Sequence, residues 1–380
     1  SERGHRRRAG RATGVTPKRS VSCPGGPLNI FRGRDSWVRV RPPPRSIGTS
    51  VPMFRVAIVG AGQIGSRHLQ AMSQFDQPVS LSIVDPDPSS LATAEQRYAQ
   101  CTPTPQVMGV EYLRTVTELP SIIDVLIVAT SAHVRRAVME SVLAHATVRT
   151  AILEKVLFQR IEDIDAVETL IAQHGVRTVV NCPLRMVEGY QTLRARLMNA
   201  RRVDLSVTGA NIGIGCNSIH YLDLVAYLSG TTAWTLSSEM LDSLPVASKR
   251  SGFLEITGTL SGVSARGDRF AVTSYPDGSA PTVVQITTPT TRAIIRDRDS
   301  RAWIAMAERD WMWEDVPLVI PYQSQLTQVA VGQLLRTGTA GPVALTPYTD
   351  SAVLHRALLT TLLGHLRQHT DFTGTTCPIT

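Results

Sequence analysis

The chain has 380 residues and a formal net charge of +8, but this charge is unevenly distributed. Residues 1–52 carry a net charge of +10, whereas residues 53–380, with 27 basic and 29 acidic side chains, carry −2. The near-neutral remainder offers no basic stripe for nucleic acid, and no apolar run approaches the roughly 20 residues that span a bilayer. The five cysteines are scattered without a CxxC pair, so we expect no disulfide framework and no metal site. The sequence predicts a soluble, cytoplasmic protein.

Residues 1–52 are predicted to form a disordered basic leader, because they are rich in Arg, Gly, Pro and Ser and lack apolar periodicity. Three explanations stay open. We favour a leader translated upstream of a true start at Met53, since a predicted strand follows at once from Phe54 and residue 1 is not methionine. The others are an Arg-rich transit peptide and a basic arm for an anionic surface.

Apolar runs rich in β-branched residues alternate with helical patterns between residues 53 and 181. This alternation is typical of a parallel sheet covered by helices on both faces, so we predict a doubly wound Rossmann domain over 53–181. The predicted strands are 54–59, 80–84, 123–129, 151–154 and 177–181, and the predicted helices are 64–74, 89–99, 133–145 and 162–174.

The pattern changes after residue 181. Short alternating runs broken by Pro and Gly turns fill 234–320 and indicate an open, mostly antiparallel sheet. We therefore predict an α+β domain over 182–380 that binds substrate and forms oligomers. Its other predicted elements are helices at 187–199, 217–229 and 350–368 and a strand at 203–208.

The segment Gly60–Gly65 reads GAGQIG, a G-x-G-x-x-G that directly follows a predicted strand and opens a helix. An acid, Asp85, closes the next predicted strand, and this combination is the dinucleotide fingerprint. Gly60 permits the tight turn, Gly62 lets the backbone approach the pyrophosphate, and Gly65 lets helix and strand pack closely. Asp85 would accept hydrogen bonds from the ribose hydroxyls, and its charge would repel a 2′-phosphate. The residues that follow, 86–88, contain no arginine to bind such a phosphate, so we favour NAD over NADP. The predicted contacts in this turn also include Gln63 and Ile64.

Two further strand ends should face the same crevice, because the carboxyl ends of parallel strands meet at one edge of a sheet. Thr130 and Ser131 follow one strand and are predicted to contact the ribose and nicotinamide. His133 is predicted to begin the next helix as a structural residue or one at the edge of the cofactor. Glu154 and Lys155 follow another strand. A P-loop is absent from the sequence, which argues against ATP chemistry.

The segment 215–223 could supply a proton-transfer group. If it is helical, Cys216, His220 and Asp223 share one face. Histidine suits the removal of a hydroxyl proton during hydride transfer, and an ammonium such as that of Lys155 can orient the same hydroxyl. The alternative is that His220 is a core histidine and Lys155 a surface lysine.

Several motifs together resemble the Gfo/Idh/MocA oxidoreductases in order and rough spacing. They are VAIVGAGQIGSRHL, Asp85, TSAH at 130–133, EK at 154–155, NCPLR at 181–185 and HYLD at 220–223. The resemblance implies a Rossmann domain followed by a domain whose open sheet forms a homodimer or homotetramer. It also implies NAD(P)-dependent chemistry on sugars or cyclitols, with Lys155 and His220 as catalytic residues.

The chain departs from the family pattern at two places. Val156 stands where the family has proline after the lysine, and Cys216 stands where it often has an aspartate four residues before the histidine. The segments 209–230 and 181–186 and the terminal CPIT are similar to a subgroup found with surface-sugar genes, including nonulosonate-type pathways. The predicted substrate contacts are Arg185, Asn181, Cys216, Asn217 and Asp223.

We predict an NAD-dependent dehydrogenase in which His220 takes the hydroxyl proton and Lys155 positions the oxygen. Two alternatives stay open. In the first, the change to Cys216 leaves an NAD(H)-binding regulatory protein without turnover. In the second, the nucleotide serves a non-redox sugar enzyme through transient oxidation.

Overall fold

The computed structural model describes residues 53–338 and 341–380. The predicted leader, 1–52, lies outside the described residues.

The first sheet is the predicted parallel sheet. Its seven strands are β1 Phe54–Val59, β2 Val79–Val84, β3 Val107–Leu113, β4 Ile122–Val128, β5 Thr147–Leu153, β6 Arg177–Val180 and β17 Thr346–Pro347. They lie in the order β17–β6–β5–β4–β1–β2–β3, and all neighbours are parallel except the short β17, which pairs antiparallel with β6. Near-continuous apolar runs form the central strands because helices cover both faces, and β4 is buried at every residue except its first.

Five helices belong to this half of the molecule. They are α1 Gln63–Met72, α2 Pro88–Tyr98, α3 Ala132–His145, α4 Ile161–Gln173 and α7 Thr327–Thr337.

The second sheet has eight strands. They are β7 Asp204–Ala210, β8 Trp234–Leu241, β11 Gly258–Ser264, β12 Arg269–Tyr275, β13 Val283–Thr287, β14 Thr291–Arg296, β15 Arg301–Met306 and β16 Glu314–Pro317. Their order is β16–β15–β14–β13–β7–β12–β11–β8, and only β7 and β12 are parallel. The strands alternate between buried apolar and exposed polar residues, as expected for a sheet with one covered face.

A separate two-stranded hairpin lies beside this sheet and is formed by β9 Val246–Ala247 and β10 Leu254–Glu255. The remaining helices are α5 Glu188–Leu197, α6 Ile214–Ser229 and α8 Tyr348–His369.

One apolar cluster runs from the first sheet through α6 and α8 to the covered face of the second sheet. A second cluster packs α1, α2 and α7 against the other face of the first sheet. The predicted fold class, a Rossmann sheet followed by a mostly antiparallel sheet, is confirmed by this architecture.

The sequence prediction missed β3 and α7. β3 is an edge strand with few buried residues, so its pattern lacks the apolar run that marks the central strands. α7 returns to the first half, where Ala330, Val331 and Leu334 join the cluster around α1. α7 and β17, which follow residue 181 in sequence, thus pack on the first sheet, and the domain division at residue 181 stays a prediction.

No helix among the described residues combines the length and the hydropathy that crossing a membrane requires.

Candidate active site

A cleft of about 590 Å³ lies between the carboxyl edge of the first sheet and the start of α6. This volume is in the usual range for ligand sites. The predicted site residues that line it are Gly62, Gln63, Ile64, Thr130, Ser131, Glu154, Lys155, Cys216 and Asn217.

The glycine turn forms one wall of the cleft. Gly60 has a φ of +100°, and a Cβ there would lie 2.9 Å from the backbone of Ala129 and Thr130. A Cβ on Gly65 would collide with the carbonyl oxygen of Gly60, whereas a Cβ on Gly62 would have no atom within 4 Å. Gly62 therefore leaves an open cradle at the amino end of α1, where free N–H groups favour a pyrophosphate.

Asp85 lies beside this turn at the end of β2. Its Oδ2 accepts the N–H of Ala61 at 2.7 Å and its Oδ1 accepts the N–H of Asp87 at 2.9 Å. Arg114, from the end of β3, donates to the carbonyl of Pro86 at 2.8 Å. An arginine therefore does lie near the ribose end of the site, and the sequence argument missed it because β3 itself was missed.

The loops after β4 and β5 are tied together by Arg135, a buried residue of α3. Its guanidinium donates to the carbonyls of Thr130, Val156 and Leu157 at 2.5 to 2.6 Å. Burial lowers the pKa of Arg135 to about 10, so the side chain stays charged near neutrality. Among the described residues, none provides a hydrogen-bond partner for the buried hydroxyl oxygen of Thr130, which a ligand in the cleft could satisfy.

Glu154 belongs to a buried polar network at the back of the cleft. His68 and Asn181 both contact its Oε1, at 2.9 and 2.5 Å, and Thr327 contacts the other ring nitrogen of His68 at 2.8 Å. Burial by itself raises the pKa of Glu154. The hydrogen bond and charge of His68 and the hydrogen bond of Asn181 outweigh this effect, so the pKa is lowered overall. Glu154 is therefore a carboxylate that fixes the strand end preceding Lys155.

Lys155 reaches across the cleft to α6. Its Nζ donates to the carbonyl of Cys216 at 3.0 Å and lies 3.4 Å from Oδ1 of Asn217. The peptide bond between Lys155 and Val156 is cis. Among the described residues, no carboxylate oxygen lies within 4 Å of this ammonium, so its charge is available to a ligand.

The first turn of α6 forms the opposite wall, and Glu255 of β10 caps it. Oε2 of Glu255 accepts the N–H of Gly215 at 2.9 Å. Burial, followed by the charge and the hydrogen bond of Glu255, raises the pKa of the Cys216 thiol to about 12. Cys216 is therefore a neutral thiol near neutrality.

His220 lies one turn further along α6 and does not line the cleft. Its Nδ1 is buried without a hydrogen-bond partner among the described residues. Burial and the nearby ammonium of Lys155 lower the pKa of His220 to about 3, so the ring is neutral near pH 7. The prediction that His220 takes a proton stays a prediction.

Several predicted contacts lie elsewhere. Arg185 is not a cleft residue, because Asp223 holds its guanidinium in a buried pair at 2.6 and 2.8 Å. Thr346 of β17 donates to the same carboxylate at 2.6 Å, so both charges serve packing between segments. Asn181 is likewise buried in the Glu154 network. His133 is exposed on α3, with its ring 6.4 Å from that of Phe253.

The sequence reasoning also missed residues that the structure brings to the cleft. His68, which contacts Glu154 behind the cleft, lies three residues after Gly65 on the buried face of α1, and this spacing could have predicted it. Glu255, Lys249 and Arg250 could not have been found, because only the β9–β10 hairpin brings them to a cleft formed by segments far away in sequence.

The fold and the glycine turn define an NAD-binding oxidoreductase domain. Residues 54–182 match the GFO_IDH_MocA model, described as "Oxidoreductase family, NAD-binding Rossmann fold". This domain, residues 54–182, therefore belongs to the Gfo/Idh/MocA oxidoreductases, and its nucleotide is NAD.

Solved structures share the fold at low identity. A Gfo/Idh/MocA family oxidoreductase from Vibrio cholerae is 15% identical, with 83% of this chain and 98% of that one covered and a TM-score of 0.61. The WlbA dehydrogenase from Bordetella pertussis, in complex with NADH and UDP-GlcNAcA, is 18% identical over 83% and 97%, with a TM-score of 0.61. A super-repressor mutant of Gal80p from Saccharomyces cerevisiae is 12% identical over 83% and 97%, with a TM-score of 0.63. Comparison with curated proteins finds no match.

Proposed function

We propose that the protein is an NAD-dependent dehydrogenase that transfers a hydride between the nicotinamide and a carbinol or keto carbon of a sugar, cyclitol or sugar derivative. The observation that carries the proposal is the Lys155 ammonium, which lies in the cleft between the glycine turn and α6 and has no carboxylate partner in the described part of the chain. A cation in this place lowers the pKa of a substrate hydroxyl and orients its oxygen.

The cofactor accepts or gives the hydride when it is bound. The residues of this chain prepare for that event. Gly62 and the amino end of α1 bind the pyrophosphate, and Asp85 accepts the ribose hydroxyls. Arg135 and Glu154 fix the loops that carry Thr130 and Lys155, so the ammonium is held in place before substrate arrives.

We further propose that the substrate carries a negative charge. Lys249 and Arg250 are exposed on the β9–β10 hairpin and line the mouth of the cleft. Among the described residues, neither side chain has a carboxylate within 4 Å. Arg250 donates to the hydroxyl of Thr380 at 2.8 Å, which leaves its charge without a carboxylate partner among the described residues. Two such cations at the mouth favour a carboxylate or phosphate on the substrate. Such a group is consistent with the surface-sugar subgroup that the sequence resembles, and WlbA was solved with an anionic nucleotide sugar.

The charge requirement can be tested by neutralising the hairpin. With Lys249→Met and Arg250→Gln combined, the KM for an acidic sugar should rise by about tenfold or more, while that for a neutral analogue should stay within twofold. Arg201→Gln, which removes an exposed cation outside the cleft, is the matched control. An equal change in KM for the acidic sugar and the neutral analogue would contradict the proposed charge recognition.

The oligomer prediction is also a proposal, with a second copy of this chain on the uncovered face of the second sheet. Short polar side chains such as Ser206, Ser261 and Thr273 cover that face, and they would let another sheet approach closely. Light scattering should give a dimer or tetramer, and Thr273→Arg should shift it to the monomer. A monomeric wild type would contradict the proposal.

One alternative is supported by a specific observation. The neutral Cys216 thiol stands where an aspartate is often found in the family, and the same fold occurs in a repressor, Gal80p. An NAD(H)-binding regulatory protein would bind NADH tightly and never consume it.

Absorbance of the reduced nicotinamide separates these functions. The full chain would be assayed in both directions, with NAD and NADP, over cyclitols, hexoses, amino sugars, sugar acids and nucleotide sugars. Turnover by the wild type that Lys155→Met abolishes supports the dehydrogenase. NADH binding without turnover on any compound would favour the regulatory protein.

A further inference from the structure

The segment 377–380, which follows α8, lies beside the same cleft as the glycine turn and Lys155. Its sequence is CPIT, and Thr380 lines the cleft. We propose that this segment, the strap, determines substrate specificity by fixing the hairpin cation Arg250 at the mouth of the cleft. This inference rests on the proposed function, because it names the element that positions a charge which that function uses.

The strap is attached on one side to the loop that carries Lys155. The N–H of Cys377 donates to the carbonyl of Gln159 at 2.8 Å, and the side-chain amide of Gln159 donates to the carbonyl of Ile379 at 2.6 Å. All three of these residues are buried. Gln159 lies four residues after Lys155, so the strap is anchored to the main chain that leads away from the ammonium.

The strap is attached on its other side to the β9–β10 hairpin. The N–H of Leu254 in β10 donates to the carbonyl of Pro378 at 2.7 Å. Nη1 of Arg250, in the turn of the hairpin, donates to the hydroxyl of Thr380 at 2.8 Å. Each strand of this hairpin has only two residues, and a two-stranded hairpin is marginally stable by itself in water. The position of the hairpin therefore depends on contacts such as these.

The strap also packs against the first turn of α6. A Cβ on Gly215 would lie 2.7 Å from Cγ2 of Ile379 and 3.2 Å from Oε2 of Glu255. The carbonyl of the next residue, Cys216, accepts from Nζ of Lys155 at 3.0 Å. The strap, the hairpin and the ammonium therefore meet at one turn of α6, and a shift of the strap would change the distance between the ammonium and the cations of the hairpin.

The hydroxyl of Thr380 suits the task of holding a cation for a ligand. Arg250 is exposed, and holding a long side chain in one geometry costs conformational entropy. The hydroxyl accepts one N–H and carries no charge, so it orients the guanidinium without neutralising it. The guanidinium keeps further N–H groups for a carboxylate or phosphate. A cation that is oriented before the substrate arrives binds it at a lower entropic cost.

The experiment removes the hydroxyl of Thr380 in the full chain. Thr380→Val keeps the shape of the side chain without the hydroxyl, whereas Thr380→Ser keeps the hydroxyl. The substrates are the acidic sugar of the panel with the highest kcat/KM and its neutral analogue. In Thr380→Val the KM for the acidic sugar should rise about fivefold. The KM for the neutral analogue, and both KM values in Thr380→Ser, should stay within about twofold.

Thr375→Val is the matched control, because it removes the hydroxyl of an exposed threonine that lies close in sequence but outside the cleft. It should leave both KM values unchanged. Thermal unfolding and NADH binding should be the same in all of these variants, since none of them alters a buried side chain.

A double-mutant cycle tests whether the strap acts through Arg250. Arg250→Gln alone should raise the KM for the acidic sugar at least as much as Thr380→Val does. Adding Thr380→Val to Arg250→Gln should raise it by less than about twofold more, because the group that the hydroxyl holds is already gone.

The results that would overturn the inference are distinguishable. An unchanged KM for the acidic sugar in Thr380→Val, or an equal rise in Thr375→Val, removes the role of the strap and leaves the proposed function in place. An equal rise for the neutral analogue, or a lowered Tm, makes the strap purely structural. A full effect of Thr380→Val in the Arg250→Gln background separates the strap from Arg250. A wild type that consumes no cofactor with any compound removes the proposed function and this role with it.

Discussion

The two walls of the cleft differ in how the sequence specifies them. The glycine wall is local, because a strand, a turn and a helix within twelve residues place Gly60, Gly62 and Gly65. The α6 wall is assembled from distant segments, with Lys155 from the end of β5, Cys216 from α6 and Glu255 from β10. A local wall follows from backbone geometry, whereas an assembled wall follows from tertiary packing. The sequence therefore predicts the cofactor half of the site from local pattern, whereas it predicts the other half only in part, giving Lys155 and Cys216 but not Glu255.

The largest expected effect concerns the assembled wall. Lys155→Met keeps much of the apolar stem but removes the ammonium, so kcat should fall by about a thousandfold, or roughly 4 kcal/mol of transition-state stabilisation. NADH affinity should change little, as measured by nicotinamide fluorescence.

Lys249→Met is the matched control, since it removes a lysine from the mouth of the same cleft. An equal loss of kcat in both variants would mean that charge in the cleft matters in general, and that Lys155 has no special place.

The glycine wall should be disrupted by substitutions that crowd its backbone. In Gly65→Ala the new methyl group would collide with the carbonyl oxygen of Gly60, so the free energy of unfolding should fall by about 3 kcal/mol. Gly62→Ala has space for its methyl group in the protein, and it should weaken NADH binding with the stability nearly unchanged. Urea unfolding and NADH titration would check both. Equal destabilisation by the two variants would contradict this assignment of the glycines.

The interior behind the assembled wall should make stability depend on pH. Burial lowers the pKa of His355 on α8 to about 3, and its Nε2 has no hydrogen-bond partner among the described residues. The unfolded chain binds this proton below about pH 6.5 but the folded chain does not. The contribution of the neutral His355 to the free energy of unfolding is therefore fully present above pH 6.5 and is lost as the pH falls from 6.5 toward 3.

Between pH 7.5 and 5, the neutral His355 should account for about 2 kcal/mol of lost stability. His355→Gln should reduce the pH dependence of the unfolding free energy by that amount, and His174→Gln, at an exposed site, should not. Parallel pH profiles for wild type and His355→Gln would contradict the burial argument.

The smallest expected effect concerns the preference of the cofactor site for NAD over NADP. Asp85→Ser removes the charge that repels a 2′-phosphate, and Arg114 lies close by on Pro86. NADPH affinity should rise about tenfold, or roughly 1.4 kcal/mol, and the added change Arg114→Met should reverse the gain. A gain that survives the second change would show that Arg114 does not contact the phosphate.

The sequence predicted the first half closely because its strands and glycine turn obey local rules. β1 was predicted at its observed bounds, 54–59, and α3 was predicted to within one residue. In the second half, the start of α6 was predicted to within three residues. β3 was missed because it lies at the sheet edge, and α7 because it joins the first sheet from far along the chain.

The candidate site was predicted less completely. Arg185 and Asp223 looked like substrate groups, since charged residues near a crevice are frequent ligand contacts, but they satisfy each other in the interior. Glu255 gave no signal, because a glutamate on a short strand is ordinary until the hairpin places it on α6. Such pairings depend on which distant segments meet.

The central claim, hydride transfer at this cleft, is tested most directly by isotope. The full chain would be given oxidised NAD and a turned-over substrate deuterated at its carbinol carbon, and the nicotinamide would be examined by mass spectrometry. The account predicts one deuterium in the NADH, with none transferred by Lys155→Met. Product formed without deuterium in a released NADH would contradict it and would identify the nucleotide as a transient oxidant in a non-redox enzyme.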